Sequence, residues 1–275
     1  MNLRGGDESA SRGNASRTCQ NMQTGVHIFN RHEGPPLACA STAGRAPTVV
    51  FLAGLRSDMT GPKALHLEGH CARRGQSFLR FDYRGHGASG GRFEEGCIGD
   101  WCADALSILD EIVTGRVVLV GSSMGGWIML LAALARPERV RGLVGVAPAP
   151  DFTRDLLAAR LSAEDLATLA RDGVVLVPSE YGQPLPVTRR LLEDGGRHLL
   201  LDRPVPVRCP VHLLHGQLDP DVPWQTSLRL AARLESEAVT VELVKDGDHR
   251  LSREEDLRRL AAALDRVLEQ AGGHG

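Results

Sequence analysis

No apolar run in this chain approaches the roughly 20 residues that a membrane-spanning helix needs, so no membrane span is expected. Charge of one sign is also missing. Lys and Arg number 32 against 34 Asp and Glu, and the formal net charge is −2. The basic residues are scattered rather than blocked, which excludes nucleic acid as an expected partner. The six cysteines (Cys19, Cys39, Cys71, Cys97, Cys102 and Cys209) form no Cys-x-x-Cys pair and fit no zinc spacing, so no metal centre is expected. The opening "MNLRGGDESASRGNASRTCQNMQ" lacks the apolar segment of a secretory leader. Reduced thiols and a cytoplasmic location are therefore expected. A mitochondrial transit peptide is the alternative, suggested by Arg4, Arg12 and Arg17 and opposed by Asp7, Glu8 and the want of an amphipathic apolar face. The same Ser-, Arg-, Gly- and Asn-rich composition predicts a disordered tail over residues 1–23. No unit repeats at a fixed period.

What is present is an ordinary globular composition, 42% apolar and 24% charged, on 275 residues. That length can bury a sizeable core. Strand-like runs alternate with helix-like stretches. "VHIFNR" (26–31) and "PLACAS" (36–41) read as two opening strands around a Gly-Pro turn. "TVVFLAG" (48–54), "SFLRFDY" (77–83), "RVVLVGSS" (116–123), "VRGLVGVAPAP" (140–150), "VHLLHG" (211–216) and "VTVELVK" (239–245) complete a set of eight. The continuous apolar character of 48–54 and 116–123 fits strands covered on both faces. Helices are expected over 62–74, 97–113, 126–137 and 253–270. This alternation predicts an α/β protein: a mostly parallel eight-stranded sheet flanked by helices, spanning 24–270, with a flexible end at 271–275. Residues 151–203 break the rhythm with helical pieces and no evident strand, and read as a helical cap inserted over the C-terminal edge of the sheet.

"VVLVGSSMGGW" places a Gly-x-Ser-x-Gly pattern, Gly121 to Gly125, between a buried strand and a helix. The central serine is Ser123. Such a turn exposes a nucleophile on a strained backbone, and its neighbours must be small because strand and helix approach closely there. The helix N-terminus adds amide donors and a positive dipole end. Ser122 is expected to support the turn. A serine hydroxyl needs a base, and the base needs an orienting acid. In the chain order Ser, acid, His, "LLHGQLDPDVPW" offers Asp219 and, less favourably placed, Asp221, with His215 turning the chain at the strand end. "VKDGDHRLS" offers His249 before the last helix, with Asp248 as a surface or loop-capping residue. The backbone amides of Met124, following the nucleophile, and of Leu55, following "VVFLAG", are the expected oxyanion donors. Residues Ala53-Gly54 stand where many proteins of this pattern carry His-Gly. "FDYRGHGASGG" (81–91) supplies an Asp-x-Arg-Gly-x-Gly-x-Ser turn, expected to be structural and to lie close beneath the nucleophile loop. It lacks the Gly-Lys-Ser/Thr ending of a phosphate-binding loop.

Together these stretches resemble the α/β-hydrolase superfamily over residues 24 to 270. "GPKALHLEGHCARRG", "LVGSSMGGWIMLLAALARPERVRGLVGVA", "CPVHLLHGQLDPDVPWQTS" and "DGDHRLSREEDL" resemble, more narrowly, its mitochondrial palmitoyl-protein thioesterase branch, which also cleaves acyl-glucuronide esters. The resemblance implies a cofactor-free serine esterase or thioesterase. Its substrates would be small esters, thioesters or acylated proteins, and Ser123, Asp219 and His249 fall on that family's triad positions. The cap matches less well, so reaction type carries over better than substrate. Carbon–carbon bond hydrolysis and cofactor-free perhydrolysis remain alternatives on the same fold, as does a non-catalytic binding protein. Dehalogenase and epoxide hydrolase chemistry would need Asp at the nucleophile. Trp127, Met129 and Trp224 are open between an acyl pocket and plain core.

Overall fold

A computed structural model describes residues 25–31, 33–179 and 182–272. The tail expected at 1–23 and the last three residues, 273–275, lie outside them. In chain order, β1 (Val26–Phe29) pairs antiparallel with β2 (Leu37–Thr42). There follow β3 (Arg45–Leu52), α1 (Pro62–Arg73), β4 (Gln76–Phe81) and α2 (Ile98–Ser107), which runs on into a π-helical turn, Ile108–Ile112. Next come β5 (Val117–Ser122), α3 (Met124–Ala135) and β6 (Val140–Val146). Every expected sheet strand is present. The last two follow the cap, and together the eight form one sheet.

The cap departs from the helical expectation. It opens with a π-helical stretch, Thr153–Ala158, and α4 (Ala163–Asp172). Two strands then follow, β7 (Val174–Val177) and β8 (Leu185–Thr188), before α5 (Arg189–Gly195). β7 and β8 pair antiparallel as a small separate sheet. Each is only four residues long, and Pro186 removes a backbone donor, so neither reads as a strand in sequence. The chain then rejoins the main sheet through β9 (Val211–Gly216), α6 (Gln225–Ala231), β10 (Val239–Val244) and α7 (Glu254–Gly272). Since α7 reaches Gly272, the expected boundary at 270 falls inside a helix. Among the described residues no helix is long and apolar enough to cross a membrane.

The strand order is β1-β2-β4-β3-β5-β6-β9-β10, parallel from β4 to β10. Right-handed crossovers then decide the layers. The β3–α1–β4 connection steps in the opposite direction from β4–α2–β5 and β5–α3–β6. It therefore puts α1 on one face, where it packs on α7, and α2 and α3 on the other, where they pack together. Both faces are covered, and all six residues of β5 are buried. Helix α3 lies almost wholly inside the core. Trp127 and Met129 are fully buried there, and the Trp127 indole donates to the carbonyl of His198, so both serve the core. Among the described residues, Cys39, Cys71, Cys97, Cys102 and Cys209 are not joined in disulfides.

One buried ion network braces this frame. Asp104 of α2 is completely buried and pairs with both Arg31 and Arg84. Its Oδ2 also accepts the Arg84 backbone N–H at 2.8 Å. Removing one member of a buried set leaves the others charged and desolvated. Asp104→Ala should therefore destabilise the protein by about 3–5 kcal/mol, read as a lowered midpoint in a urea melt. An unchanged midpoint would mean that Arg31 and Arg84 find water once the carboxylate is gone.

Candidate active site

The register of the sheet brings Gly121 and Ser122 level with Leu52 and Val146 at its C-terminal edge. Ser123 follows immediately with φ 53° and ψ −118°, a conformation that side chains rarely adopt, and α3 starts at the next residue. The surrounding glycines are required by space. A Cβ on Gly125 would run into the carbonyl oxygens of Leu52 and Ala53, and one on Gly121 into that of Gly125. The turn is thus wedged between two strands. Among the described residues, four other non-glycine residues share the positive-φ condition: Arg56, Ala147, Asp151 and Leu251. Each follows the C-terminal end of a sheet strand, so backbone strain collects along one rim of the sheet.

The loops at that rim carry the other expected residues. His249 follows β10, and its Nε2 lies 3.1 Å from Ser123 Oγ. Its Nδ1 lies 2.7 Å from Asp219 Oδ2, on the loop after β9. The Asp219 side chain is fully buried. Its Oδ1 accepts the backbone N–H groups of Asp221 and Val222, each at 2.9 Å. Burial alone would raise the Asp219 pKa. The hydrogen bonds from His215, His249 and Val222 outweigh it and hold the carboxyl well below the ordinary carboxylate range. The geometry therefore sets Asp219, rather than Asp221, against His249. Asp248 caps its own loop, accepting the N–H of Leu251 at 2.8 Å.

Met124 and Leu55 line the same cleft as Ser123 and His249. Met124 opens α3, so its amide has no intrahelical acceptor. The loop before Leu55 runs beside the nucleophile: a Cβ on Gly54 would sit 3.4 Å from Ser123 Cβ. The glycine-rich turn at 82–89, which follows β4, braces this loop. Asp82 accepts the N–H of Met59 at 2.6 Å and that of Ala88 at 2.8 Å. The first of these hydrogen bonds ties the turn to the loop that follows β3.

The cleft holds about 980 Å³. Its apolar wall comes from the cap, through Phe152, Leu156, Leu157, Val177 and Leu185. Two arginine contacts fasten the cap across it. Arg56 donates to the carbonyls of Gln183 and Pro184, and Arg160 to that of Asp221. Lys63 also lines the cleft and donates to the Arg250 carbonyl at 2.5 Å. Burial pushes its ammonium down to about 8, against the pull of Asp248. Among the described residues, the one grouping of His and carboxylate atoms close enough to share a cation is Asp219, Asp221 and His249. Two of these are already engaged with each other. What the sequence reading missed is His215, expected only to turn the chain. It is wholly buried, and its Nε2 lies 3.1 Å from Asp219 Oδ2.

The comparisons agree with this architecture. The Alpha/beta hydrolase family profile matches residues 49–263. The mitochondrial palmitoyl-protein thioesterase ABHD10 of Mus musculus is 40% identical over 251 residues, covering 90% of this chain and 84% of that protein. The Homo sapiens protein of the same name is also 40% identical, with 82% of it covered. Among solved structures, alpha/beta hydrolase domain-containing protein 10 from mouse superposes with a TM-score of 0.83, covering 90% of this chain and 99% of that one. A putative hydrolase from Agrobacterium vitis S4 gives the same TM-score of 0.83 at 40% identity, covering 89% of this chain and 98% of that one. The mammalian relatives are mitochondrial by name, which overturns the cytoplasmic expectation and favours the alternative. A missing secretory leader never distinguished those two compartments. With the profile spanning most of the chain and relatives at this identity, the chain belongs to the alpha/beta hydrolase family and is a hydrolase.

Proposed function

We propose that this protein is a serine thioesterase and esterase acting through Ser123, His249 and Asp219. The observation that carries the reading is the continuous hydrogen-bonded line from Ser123 Oγ through both ring nitrogens of His249 to Asp219 Oδ2. In this reading His249 Nε2 takes the Ser123 proton as Oγ attacks the acyl carbonyl. The Met124 and Leu55 amides receive the oxyanion. His249 then returns its proton to the departing thiolate or alkoxide, and water cleaves the acyl-enzyme by the same route in reverse. Asp219 keeps the His249 proton on Nδ1 and balances the imidazolium.

The apolar cap wall supports a fatty acyl chain as the acyl group. Likeness to the palmitoyl-protein thioesterases supports S-acylated protein as substrate, with acyl-glucuronide esters as a second class. The test is steady-state turnover on p-nitrophenyl esters of rising chain length, a palmitoyl-cysteine peptide and an aryl acyl-glucuronide. Long-chain thioester turnover at least as efficient as that of short aryl esters is the expected result. Turnover confined to short aryl esters would reduce the reading to a general esterase. No turnover of any of them would transfer the fold to carbon–carbon bond cleavage or perhydrolysis.

A further inference from the structure

The catalytic line does not stop at Asp219. Behind the carboxylate stands His215, the penultimate residue of β9, with no exposed side-chain surface. Its Nε2 has two neighbours, Asp219 Oδ2 at 3.1 Å and the Val222 carbonyl at 3.0 Å. The carbonyl accepts only, and so does a carboxylate held well below its ordinary pKa. Nε2 therefore carries a proton whichever form the ring takes. Its Nδ1 lies 2.7 Å from the hydroxyl of Ser227, which is itself buried on α6. A hydroxyl can either donate or accept there, so both edges of the ring are satisfied and the ring cannot turn without losing them.

Asp219 is thereby saturated. Oδ1 holds the Asp221 and Val222 amides, and Oδ2 holds His249 and His215. The carboxylate plane has no second orientation that keeps these four donors. His215 also joins Asp219 and Val222 from behind, so one imidazole pins the two ends of the turn that presents the acid.

We infer that His215, held by Ser227, is a positioning residue for the hydrolytic reaction: it fixes Asp219 so that His249 stays aligned on Ser123. The inference rests on the triad proposed above. It touches no substrate, since His215 does not line the cleft. Losing it should therefore appear in kcat and not in KM.

The experiment compares wild type with His215→Leu, His215→Gln and Ser227→Ala on one activated ester, alongside thermal melts. A misplacement of a catalytic group by about 1 Å can cost about 100-fold in rate. His215→Leu should lower kcat about 10- to 100-fold at unchanged KM. His215→Gln, whose amide can donate toward Oδ2, should recover most of that loss. Ser227→Ala frees one edge of the ring and should lower kcat a few-fold, giving a reading even if His215→Leu does not fold. Wild-type kcat in His215→Leu or, failing its folding, in Ser227→Ala would overturn the inference. So would equal loss in the Leu and Gln variants. Activity retained by a Ser123→Ala control would instead remove the triad itself, so the two failures are separable.

Discussion

Ser123→Ala lowers kcat by about 10⁶-fold, the scale on which serine hydrolases lose turnover with their nucleophile, and ends covalent labelling by a fluorophosphonate. The substitution deletes one atom, Oγ, which lies 3.1 Å from His249 Nε2. Alanine keeps the Cβ beside the loop at Gly54 and keeps the same backbone preference, so the turn need not rearrange. Only one hydrogen bond disappears, worth about 1 kcal/mol. The thermal midpoint should move by no more than about 2–4 °C. Labelling and melting together separate a dead enzyme from an unfolded one. A folded alanine variant that still labels would place the nucleophile elsewhere. Ser122, the neighbouring hydroxyl in the same cleft, would be the first to examine.

Asp219→Asn should lower kcat by about 10⁴-fold through a proton in the wrong place. Consider the amide set with its oxygen where Oδ1 now stands, still accepting from Asp221 and Val222. Its NH₂ group then faces His249 Nδ1 and His215 Nε2, both of which donate to the native carboxylate. His249 can satisfy that NH₂ only by moving its proton to Nε2, the nitrogen that must receive the Ser123 proton. Turning the amide over is no remedy, because the NH₂ then meets two backbone N–H groups. A donor facing donors in a buried site also costs about 1–3 kcal/mol of stability. The measurement is kcat with a denaturant melt, with Asp221→Asn run beside it. Loss in Asp221→Asn and not in Asp219→Asn would move the acid to the second carboxylate of the loop.

Much of the frame was legible in the sequence because parallel strands covered on both faces must be apolar throughout, as "RVVLVG" is. The site residues could be nominated because each sits where a strand ends and the order along the chain limits the choices. Long-range partnerships left no such trace. Asp104 and Arg31 are 73 residues apart, and nothing in either neighbourhood announces the other. His215 looked like a chain-turning residue because its bond to Asp219 depends on the loop curling back four positions later. The cap hairpin was hidden by strands of four residues, one of them bearing Pro186. Location failed for a different reason: composition records what can fold and stay dissolved, whereas a cellular address is read by a receptor.

The left-handed backbone at position 123 sets folding against turnover. Glycine reaches φ 53° without the cost of about 1–3 kcal/mol that a side chain incurs there, offset in part by glycine's extra freedom in the unfolded chain. Selection for heat tolerance alone would therefore drift toward glycine at the one position where the chemistry needs an oxygen. A stabilised descendant of this protein would have to find its gains elsewhere, in the caps, loops and core, and carry the unfavourable turn unchanged.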